Sequence, residues 1–495
     1  MTTATSSLKP HNFISATLPL ICLIIMMSLS VHIFGADSSQ GPNQIALFIC
    51  AIMAIVIGLW RGMKYDDIEH GMVQGISVAL SACLILLFIG ALIGVWMLSG
   101  TVPTIIYYGI QIINPQWFFT CALVVCALVS ISIGSSWSTC ATIGVAFIGM
   151  SVPLNMPIEI TAGAVISGAY FGDKMSPLSE TTNLAAAVGE VSLFDHIKNM
   201  IWTTAPSLII AAIIFSVLGF NYAGNNGDSA VSSMQLINDL KKYYDISLVN
   251  LVPLVVLITL TIMRLPVLII IFISIVVGAL VALLLQGPAI AATFEHANEL
   301  SSNLISIWKA SFNGIEMSTS NQELNELLSG GGMNSMLNTI FLIIAALSFG
   351  ATMETTGSIT YMIGHLLKIA KTTDRVLIAT VLSCVGLNIV TGDQYMSIIM
   401  PGRMYKRAYK ELGLGNLALT RNLEDGATIT SVLVPWNTCA VFVSGVLGVS
   451  TFSYLPYCFF NLLSPIIAIL FAIFGIKIVK AVAEKKSEPE TEVEA

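Results

Sequence analysis

Long apolar runs without a charged residue recur along this sequence and constrain its fold more than any other feature. Four of them span residues 43–60, 75–98, 201–220 and 456–476. A helix needs about 20 such residues to cross the hydrocarbon of a bilayer. Only 10% of the 495 residues are charged, against about 25% in a soluble domain. We therefore expect an all-α polytopic membrane protein with no separate soluble domain.

Lysine and arginine in short loops indicate which side of the membrane is cytoplasmic. Arg61 and Lys64 place the loop after the second span inside, so the N-terminal tail, residues 1–12, is expected inside too. The first apolar run is too long for a signal peptide and predicts a retained span. Lys477 places the C-terminus inside, and the acidic residues 481–495 predict a disordered tail.

The predicted first transmembrane half, residues 13–220, contains two interrupted segments. Residues 117–150 are two apolar arms joined by GSSWST, with no lysine or arginine in the flanking loops. This pattern predicts a re-entrant hairpin that enters from outside. Residues 158–199 predict a transmembrane helix broken by the polar string GDKMSPLSETTN. Irregular backbone at membrane depth is tolerated only where protein or a water-filled cavity covers it.

The predicted second half, residues 336–480, repeats this order upside down. The arms of 376–402 meet at TGDQ and have basic residues at both ends, which predicts a hairpin entering from the cytoplasm. Residues 426–449 predict a helix broken at PWNT. The sequence thus predicts inverted-topology repeats with two re-entrant hairpins and two broken transmembrane helices, an arrangement typical of secondary transporters.

The region between the halves, residues 221–335, is expected to connect them. It contains spans 248–263 and 266–286 followed by a polar, glycine-rich segment. This assignment leaves Lys241 and Lys242 outside, which runs against the rule for basic residues.

Each interruption frees backbone carbonyls, and the partly negative C-terminal end of a half-helix suits a small cation. Hydroxyl, amide and carboxyl oxygens beside the breaks would complete the cation's shell. The first-half candidates are Ser135, Ser136, Ser138, Thr139, Asp173, Ser176, Ser179, Glu180, Thr181, Thr182 and Asn183. The second-half candidates are Thr391, Asp393, Asn437 and Thr438. These groups predict two oxygen-rich pockets near the middle of the membrane.

The carboxylates among these candidates decide which ion is moved. A charged group at the centre of a transmembrane helix costs roughly 2.5–3.5 kcal/mol on insertion scales, so such groups point to function. Asp173 and Asp393 each follow a glycine at a break, and Glu180 adjoins Thr-Thr-Asn. A carboxylate that holds either a proton or sodium, with access alternating between the two sides, gives antiport. We expect Asp173 to be this shared group.

Structural roles compete with functional ones at the charged positions. Asp173 is also placed to pair with Lys174 or to cap a helix. Glu424 and Asp425 lie near a basic loop, where pairing with Arg421 is the favoured interpretation. Nothing in the sequence resembles GK[ST], HExxH or Gly-x-Ser-x-Gly, so ATP-driven or hydrolytic chemistry, a cofactor and a nucleic-acid partner are not expected.

Several strings resemble the NhaC-type Na+/H+ antiporters of the ion transporter superfamily. They are GAYFGDKMSPLSETTNLAA, GSSWSTCATIGVAF, GTVPTIIYYG and NLEDGATITSVLVPWNTCA, and the likeness covers roughly residues 10–475. The resemblance implies a multi-pass exchanger of the bacterial inner membrane that expels sodium in return for protons, with both termini cytoplasmic. It leaves a homodimer open.

By this similarity, two motifs would contribute ion-binding residues. The first supplies Asp173, Ser176, Thr181, Thr182 and Asn183, and the second supplies Asn437 and Thr438. The family commonly has aspartate where this chain has Glu180, which keeps the charge but changes its reach.

Two other functions stay open at the level of sequence. The superfamily includes exchangers that couple sodium and protons to malate and lactate. Such an organic anion would need a cation or the N-terminus of a half-helix at the site, and Lys174 is the only basic residue within a break. A passive ion channel is the other alternative, although paired carboxylates in inverted repeats favour a carrier.

Overall fold

The fold is given by a computed structural model that describes most of the chain. The described residues are 9–152, 154–225, 240–263, 265–293, 300–317, 325 and 328–480. Helices dominate, and no strand of a sheet forms within these ranges. The prediction of an all-α protein is confirmed for this part of the chain. The predicted acidic tail, residues 481–495, lies outside the described residues.

Helices before and around the first interruption follow one another with short connections. They are α1 (Phe13–Phe34), α2 (Pro42–Trp60), α3 (Tyr65–Val78), α4 (Leu80–Leu98), α5 (Thr101–Ile112), α6 (Phe118–Ile133), α7 (Ser136–Thr139), a π-helical turn (Cys140–Gly144), α8 (Val145–Ser151), α9 (Ile158–Met175), α10 (Glu180–Gly189) and α11 (Leu193–Asn225).

The rest of the described chain contains the connecting helices and the second interruption. These elements are α12 (Val252–Ile262), α13 (Val267–Leu285), α14 (Gly287–Thr293), α15 (Leu300–Asn313), α16 (Leu337–Thr355), α17 (Ser358–Ile369), α18 (Thr373–Thr391), α19 (Gln394–Glu411), α20 (Asn416–Leu423), a π-helical segment (Glu424–Thr428), α21 (Thr438–Leu447), α22 (Thr451–Tyr454) and α23 (Phe459–Phe474).

The outer surfaces of the long helices are apolar. The side chains of four residues on α13 are between 43% and 79% exposed, and their spacing of four places them on one face of the helix. They are Phe272, Val276, Leu280 and Leu284. Such a stripe would be buried in a soluble protein, and here it suits contact with lipid. Among the described residues, eight helices are long and apolar enough to cross a membrane, or up to ten spans if two bent helix pairs are included. The chain is a multi-pass membrane protein.

Two groups of helices pack around the interruptions. The first, which we call the support bundle, consists of α2, α3, α4, α13, α15 and α16. The second, the break bundle, consists of α6, α9, α10, α11, α18, α19, α20 and α23. Within it, Gly168 and Gly172 let α9 approach α6 closely, because a Cβ at these positions would lie 2.2 Å from the carbonyl oxygen of Leu123 and 2.5 Å from that of Ala127. Each bundle contains helices from both halves of the sequence.

The helix boundaries differ from the sequence prediction at three places. The segment expected to begin at Gly426 begins at Asn416, because the polar string NLALTRNL is helical although it is not apolar. The polar region 287–335 contains the helices α14 and α15 rather than a loop alone. The last span is bent by 58° between Tyr457 and Phe459.

Candidate functional site

The first break separates α9 from α10. Pro177 follows Ser176, which has extended backbone (φ −86°, ψ 131°), as expected for a residue before proline. Ser179 then caps α10 by accepting a hydrogen bond from the amide of Thr182 at 3.4 Å. The hydroxyl of Thr182 donates to the carbonyl of Lys174 at 3.1 Å, so it satisfies one of the carbonyls that the end of α9 leaves free.

The turn between α6 and α7, which we call the first tip (GSSWST, residues 134–139), packs directly against this break. Gly134 ends α6 with φ +76°, and a Cβ there would lie 2.6 Å from the backbone of Leu178. Ser136 donates to the same carboxylate oxygen of Asp173 twice, from its hydroxyl at 2.6 Å and from its amide at 3.2 Å. The hydroxyl of Ser176 donates to the carbonyl of Ile131 at 2.7 Å. The tip therefore holds Asp173 in one position.

A cavity of about 730 Å³ lies between the two bundles and reaches the first break. Asp173 and Glu180 both contribute to its wall, together with the hydroxyl-bearing residues Ser136, Ser138 and Thr181. No lysine, arginine or histidine belongs to the wall as far as the described residues form it. This surface suits a cation, because its charges are carboxylates and its other polar groups can present oxygen.

One wall of the cavity comes from the second half. The hydroxyl of Tyr395, at the start of α19, donates to Glu180 at 2.6 Å. The ring of Phe442, on α21, stacks on Trp137 of the first tip with centroids 4.1 Å apart. Both halves of the sequence therefore build the cavity.

Lys174 is not available to this cavity. Its ammonium forms an ion pair with Asp425, and both side chains are fully buried. The hydroxyl of Ser464 donates to the same carboxylate at 2.8 Å. Asp173 thus has no ion pair with Lys174. The predicted pairing of Asp425 with Arg421 is wrong, since Arg421 donates instead to the carbonyl of Lys477 at 3.1 Å.

The second half also has a tip, residues 391–394 between α18 and α19, and a break, residues 435–438 before and at the start of α21. The backbone of both resembles that of the first half. Gly392 ends α18 with φ +64°, and Asp393 caps α19 by accepting from the amide of Met396 at 2.8 Å. Asn437 caps α21 by accepting from the amide of Cys439 at 3.0 Å. The amide of Thr438 donates to the carbonyl of Gly392 at 2.8 Å, which joins the tip to the break.

A buried amide fills the space between the second tip and the second break. The side chain of Asn388 donates to the carbonyl of Ala427 at 2.7 Å and to the hydroxyl of Thr430 at 3.0 Å. Its amide oxygen accepts from Asn437 at 3.2 Å. This pocket is closed by protein groups and its residues do not line the cavity.

Comparison with known proteins decides the family. The sequence model of the Na+/H+ antiporter family matches residues 168–476, which include both breaks. The chain belongs to the Na+/H+ antiporter family.

Relatives in this family resemble the chain over most of its length. The Na+/H+ antiporter NhaC of Alkalihalophilus pseudofirmus is 34% identical over 94% of this chain and 97% of its own length. The malate-2H+/Na+-lactate antiporter of Bacillus subtilis is 36% identical over 88% of this chain and 90% of its own. The arginine/ornithine antiporter ArcD of Halobacterium salinarum is 33% identical over 98% of this chain and 97% of its own. These relatives are named as antiporters, with different cargoes.

Within this family member, the structure gathers some of the predicted ion ligands and separates others. Those in the cavity wall are Ser135, Ser136, Ser138, Asp173, Glu180 and Thr181. Those that satisfy backbone groups of their own segment are Thr139, Ser179, Thr182 and Asn183. Ser176 instead donates to the carbonyl of Ile131 on α6. Those in the second tip and break, which are outside the cavity wall although Gln394 and Tyr395 beside them line it, are Thr391, Asp393, Asn437 and Thr438.

Sequence reasoning misses two residues of this region, Asn388 and Tyr395, and gives a third, Asp425, the wrong partner. Asn388 lies in the apolar arm before TGDQ, and an isolated amide in an apolar arm indicates a buried hydrogen-bond network. Tyr395 follows TGDQ directly, and its contact with Glu180 joins residues that are 215 positions apart. Asp425 was assigned to a neighbouring arginine because its true partner, Lys174, is 251 positions away.

Proposed function

We propose that this protein is a secondary active transporter that exports sodium in exchange for protons, with Asp173 as the principal carboxylate shared by the two ions. The observation that supports it best is the position of Asp173. Its side chain is 7% exposed, lies in the cavity wall and accepts two hydrogen bonds from Ser136. A carboxylate so placed can bind a sodium ion from the cavity or a proton from water, and the two compete for it.

The site has the other features that sodium requires. Half-helix ends at Met175 and Gly134 provide carbonyls with partial negative charge. Hydroxyls of Ser136, Ser138 and Thr181 surround the same part of the cavity. Glu180 adds a second negative charge, which raises the local concentration of cations.

We further propose that the two halves are inverted-topology repeats, each with a re-entrant hairpin and a broken helix. In support, Gly134 and Gly392 both end an arm with positive φ, and the next residue in each case, Ser135 or Asp393, caps the following helix. The proposal includes a bacterial inner-membrane location with both termini cytoplasmic, and it leaves the oligomeric state open.

The malate and lactate alternative loses the residue on which it depended. An organic anion needs a cation or a half-helix N-terminus. The cation, Lys174, is buried in its ion pair with Asp425, and the N-termini of α7 and α10 are capped by Ser135 and Ser179. The described cavity wall offers two carboxylates instead, which would repel a dicarboxylate. We therefore place sodium ahead of organic anions as the cargo.

Everted membrane vesicles provide the direct test. A proton gradient is imposed by respiration, and NaCl, LiCl, KCl or choline chloride is added, with and without malate or arginine. We expect sodium to dissipate the gradient at alkaline pH without any organic solute, while choline has no effect in the same vesicles.

Vesicles that lack the protein control for background exchange. The proposal is wrong if sodium gives no response at any alkaline pH, or if the response requires malate or arginine. Saturable exchange of labelled sodium against unlabelled sodium would exclude a passive channel.

A further inference from the structure

A second carboxylate site lies where the end of α9 contacts the π-helical segment of the second half. We call it the acid–lysine cluster, and it consists of Lys174, Glu424 and Asp425. All three side chains are completely buried. The two acids begin the π-helical segment that interrupts the helix started by α20, and π-helical turns occur frequently at functional sites.

The charges in this cluster do not balance if every acid is ionised. Lys174 supplies one positive charge and is paired with Asp425. The carboxyl of Glu424 has no hydrogen-bond partner on either oxygen among the described residues. An ionised carboxylate buried without a partner is too costly to persist, so such a group takes up a proton or binds a cation. The buried hydroxyl of Thr428, one turn further along, is close enough to interact with this carboxyl but does not form a hydrogen bond of normal geometry with it.

The cluster is adjacent to the proposed sodium site. Lys174 follows Asp173 in α9, and its partner Asp425 follows Glu424. The ion pair therefore brings Asp173 and Lys174 of the first half next to Glu424 and Asp425 of the second. The negative charge of Asp173 acts on Glu424 through this short connection. The titratable or charged groups around Glu424 and the cluster are Asp173, Lys174, His196, Cys384, Arg421 and Asp425.

We propose that Glu424 binds a second proton, whose release is linked to sodium binding at Asp173. This inference rests on the proposed function and adds a separate proton site to it. While Asp173 is an unneutralised anion, it favours the neutral form of Glu424. When sodium neutralises Asp173, Glu424 can ionise, supported by the charge of Lys174, and its proton leaves to water. Linkage is reciprocal, so a proton returning to Glu424 weakens the binding of sodium.

Proton release from purified protein tests this site without requiring transport. The full-length protein in detergent, in weakly buffered solution with a pH indicator, is titrated with NaCl and, separately, with choline chloride. At a pH at which Asp173 is ionised before sodium binds, we expect the wild type to release about one proton per bound sodium, from Glu424, and Glu424→Gln to release almost none. The matched control Glu411→Gln removes an exposed carboxylate at the end of α19 and should release the wild-type number.

A structural role for Glu424 predicts a different result. Glu424→Asp keeps the carboxyl and should release more protons than Glu424→Gln. Equal release by the wild type and Glu424→Gln overturns the proposal, as does equal loss in both variants. If Glu424→Gln does not fold, the wild-type count at this pH decides, because the absence of proton release overturns a second proton site. The proposed function fails on a separate measurement, the absence of an independent sodium response in vesicles at alkaline pH.

Discussion

The two helix breaks follow the same backbone path but differ in what their side chains leave free. In the first, Asp173 lies in the cavity wall and accepts two hydrogen bonds from Ser136 of the tip. In the second, Asn388 and Asn437 bind each other and the surrounding carbonyls, so the pocket is closed. The difference teaches that a broken helix supplies partial charges wherever it occurs, while the side chains determine whether an ion can reach them.

The largest expected effect distinguishes the aspartates of the two breaks. Asp173→Asn should abolish sodium-dependent exchange in everted vesicles, because an amide cannot exchange a proton for sodium. Asp393→Asn should keep at least half of the rate, since asparagine caps a helix as well as aspartate does and Asp393 lies outside the cavity wall. Equal loss in both variants, at equal amounts of protein in the membrane, would show that the second break also binds the ion.

Removal of the buried amide tests whether the second break is structural. Asn388→Ala leaves several buried groups unpaired, and each costs about 1–3 kcal/mol, so we expect the free energy of unfolding to fall by roughly 3 kcal/mol. Asn183→Ala, which removes an exposed amide of the first break, should change it by less than about 0.5 kcal/mol. Denaturation in detergent measures both. An Asn388→Ala protein of normal stability that has lost sodium affinity would contradict this assignment.

A variant of Ser136 tests whether sodium binds at Asp173 of the first break. Ser136→Ala removes the hydroxyl that donates to Asp173 at 2.6 Å. A hydrogen bond to a charged group is worth about 1.5–3 kcal/mol, so the half-saturating sodium concentration should rise about tenfold or more. Ser138→Ala, which removes a cavity hydroxyl without a hydrogen bond to Asp173, should change it less than twofold. The reverse ranking would place sodium nearer Ser138.

Tyr395 tests the contribution of Glu180. Tyr395→Phe removes the hydrogen bond to an exposed carboxylate, and such a bond is worth about 0.5–1.5 kcal/mol. We expect a change of two- to tenfold in the exchange rate, with Tyr222→Phe on α11 as an aromatic control. Complete loss, as in Asp173→Asn, would make Glu180 the shared carboxylate.

The smallest effect lies outside both breaks, at the N-terminal tail. His11 Nε2 contacts both the guanidinium of Arg61 and the carbonyl of Thr356. Burial and the charge of Arg61 outweigh the contact with Thr356 and hold the pKa of His11 below its ordinary value of 6.5. Folding therefore favours neutral His11, and this stabilisation is present above about pH 6.5 and lost as the pH falls through the lowered pKa. Unfolding temperatures from pH 8 to pH 5 should show a loss in the wild type that His11→Asn lacks. Sodium affinity should be the same in both proteins at alkaline pH.

Local patterns in the sequence predicted the helices and the positions of the breaks well. Within GDKMSPLSETTN, α9 ends at Met175 and α10 begins at Glu180. Proline, serine and glycine specify these features within a few residues of one another. The start of α20 at Asn416 was missed, because an apolarity criterion does not detect a buried polar helix.

Partners far apart in the chain could not be predicted in this way. The expectation of two equivalent ion pockets depended on residue types, and these do not reveal that Asn388 occupies the second pocket. The pairing of Lys174 with Asp425 depends on how α9 packs against the π-helical segment, which no local pattern encodes. Residue type predicted which groups are functional candidates, and packing decided which of them meet.

The buried ion pair between Lys174 and Asp425 has a mechanical consequence. It fastens the first break to the second half, and separating them would expose two charges to an apolar interior, at a cost of several kcal/mol. We therefore expect the two halves of the sequence not to move as two separate bodies. Any movement that carries Asp173 from one side of the membrane to the other should take Asp425 with it.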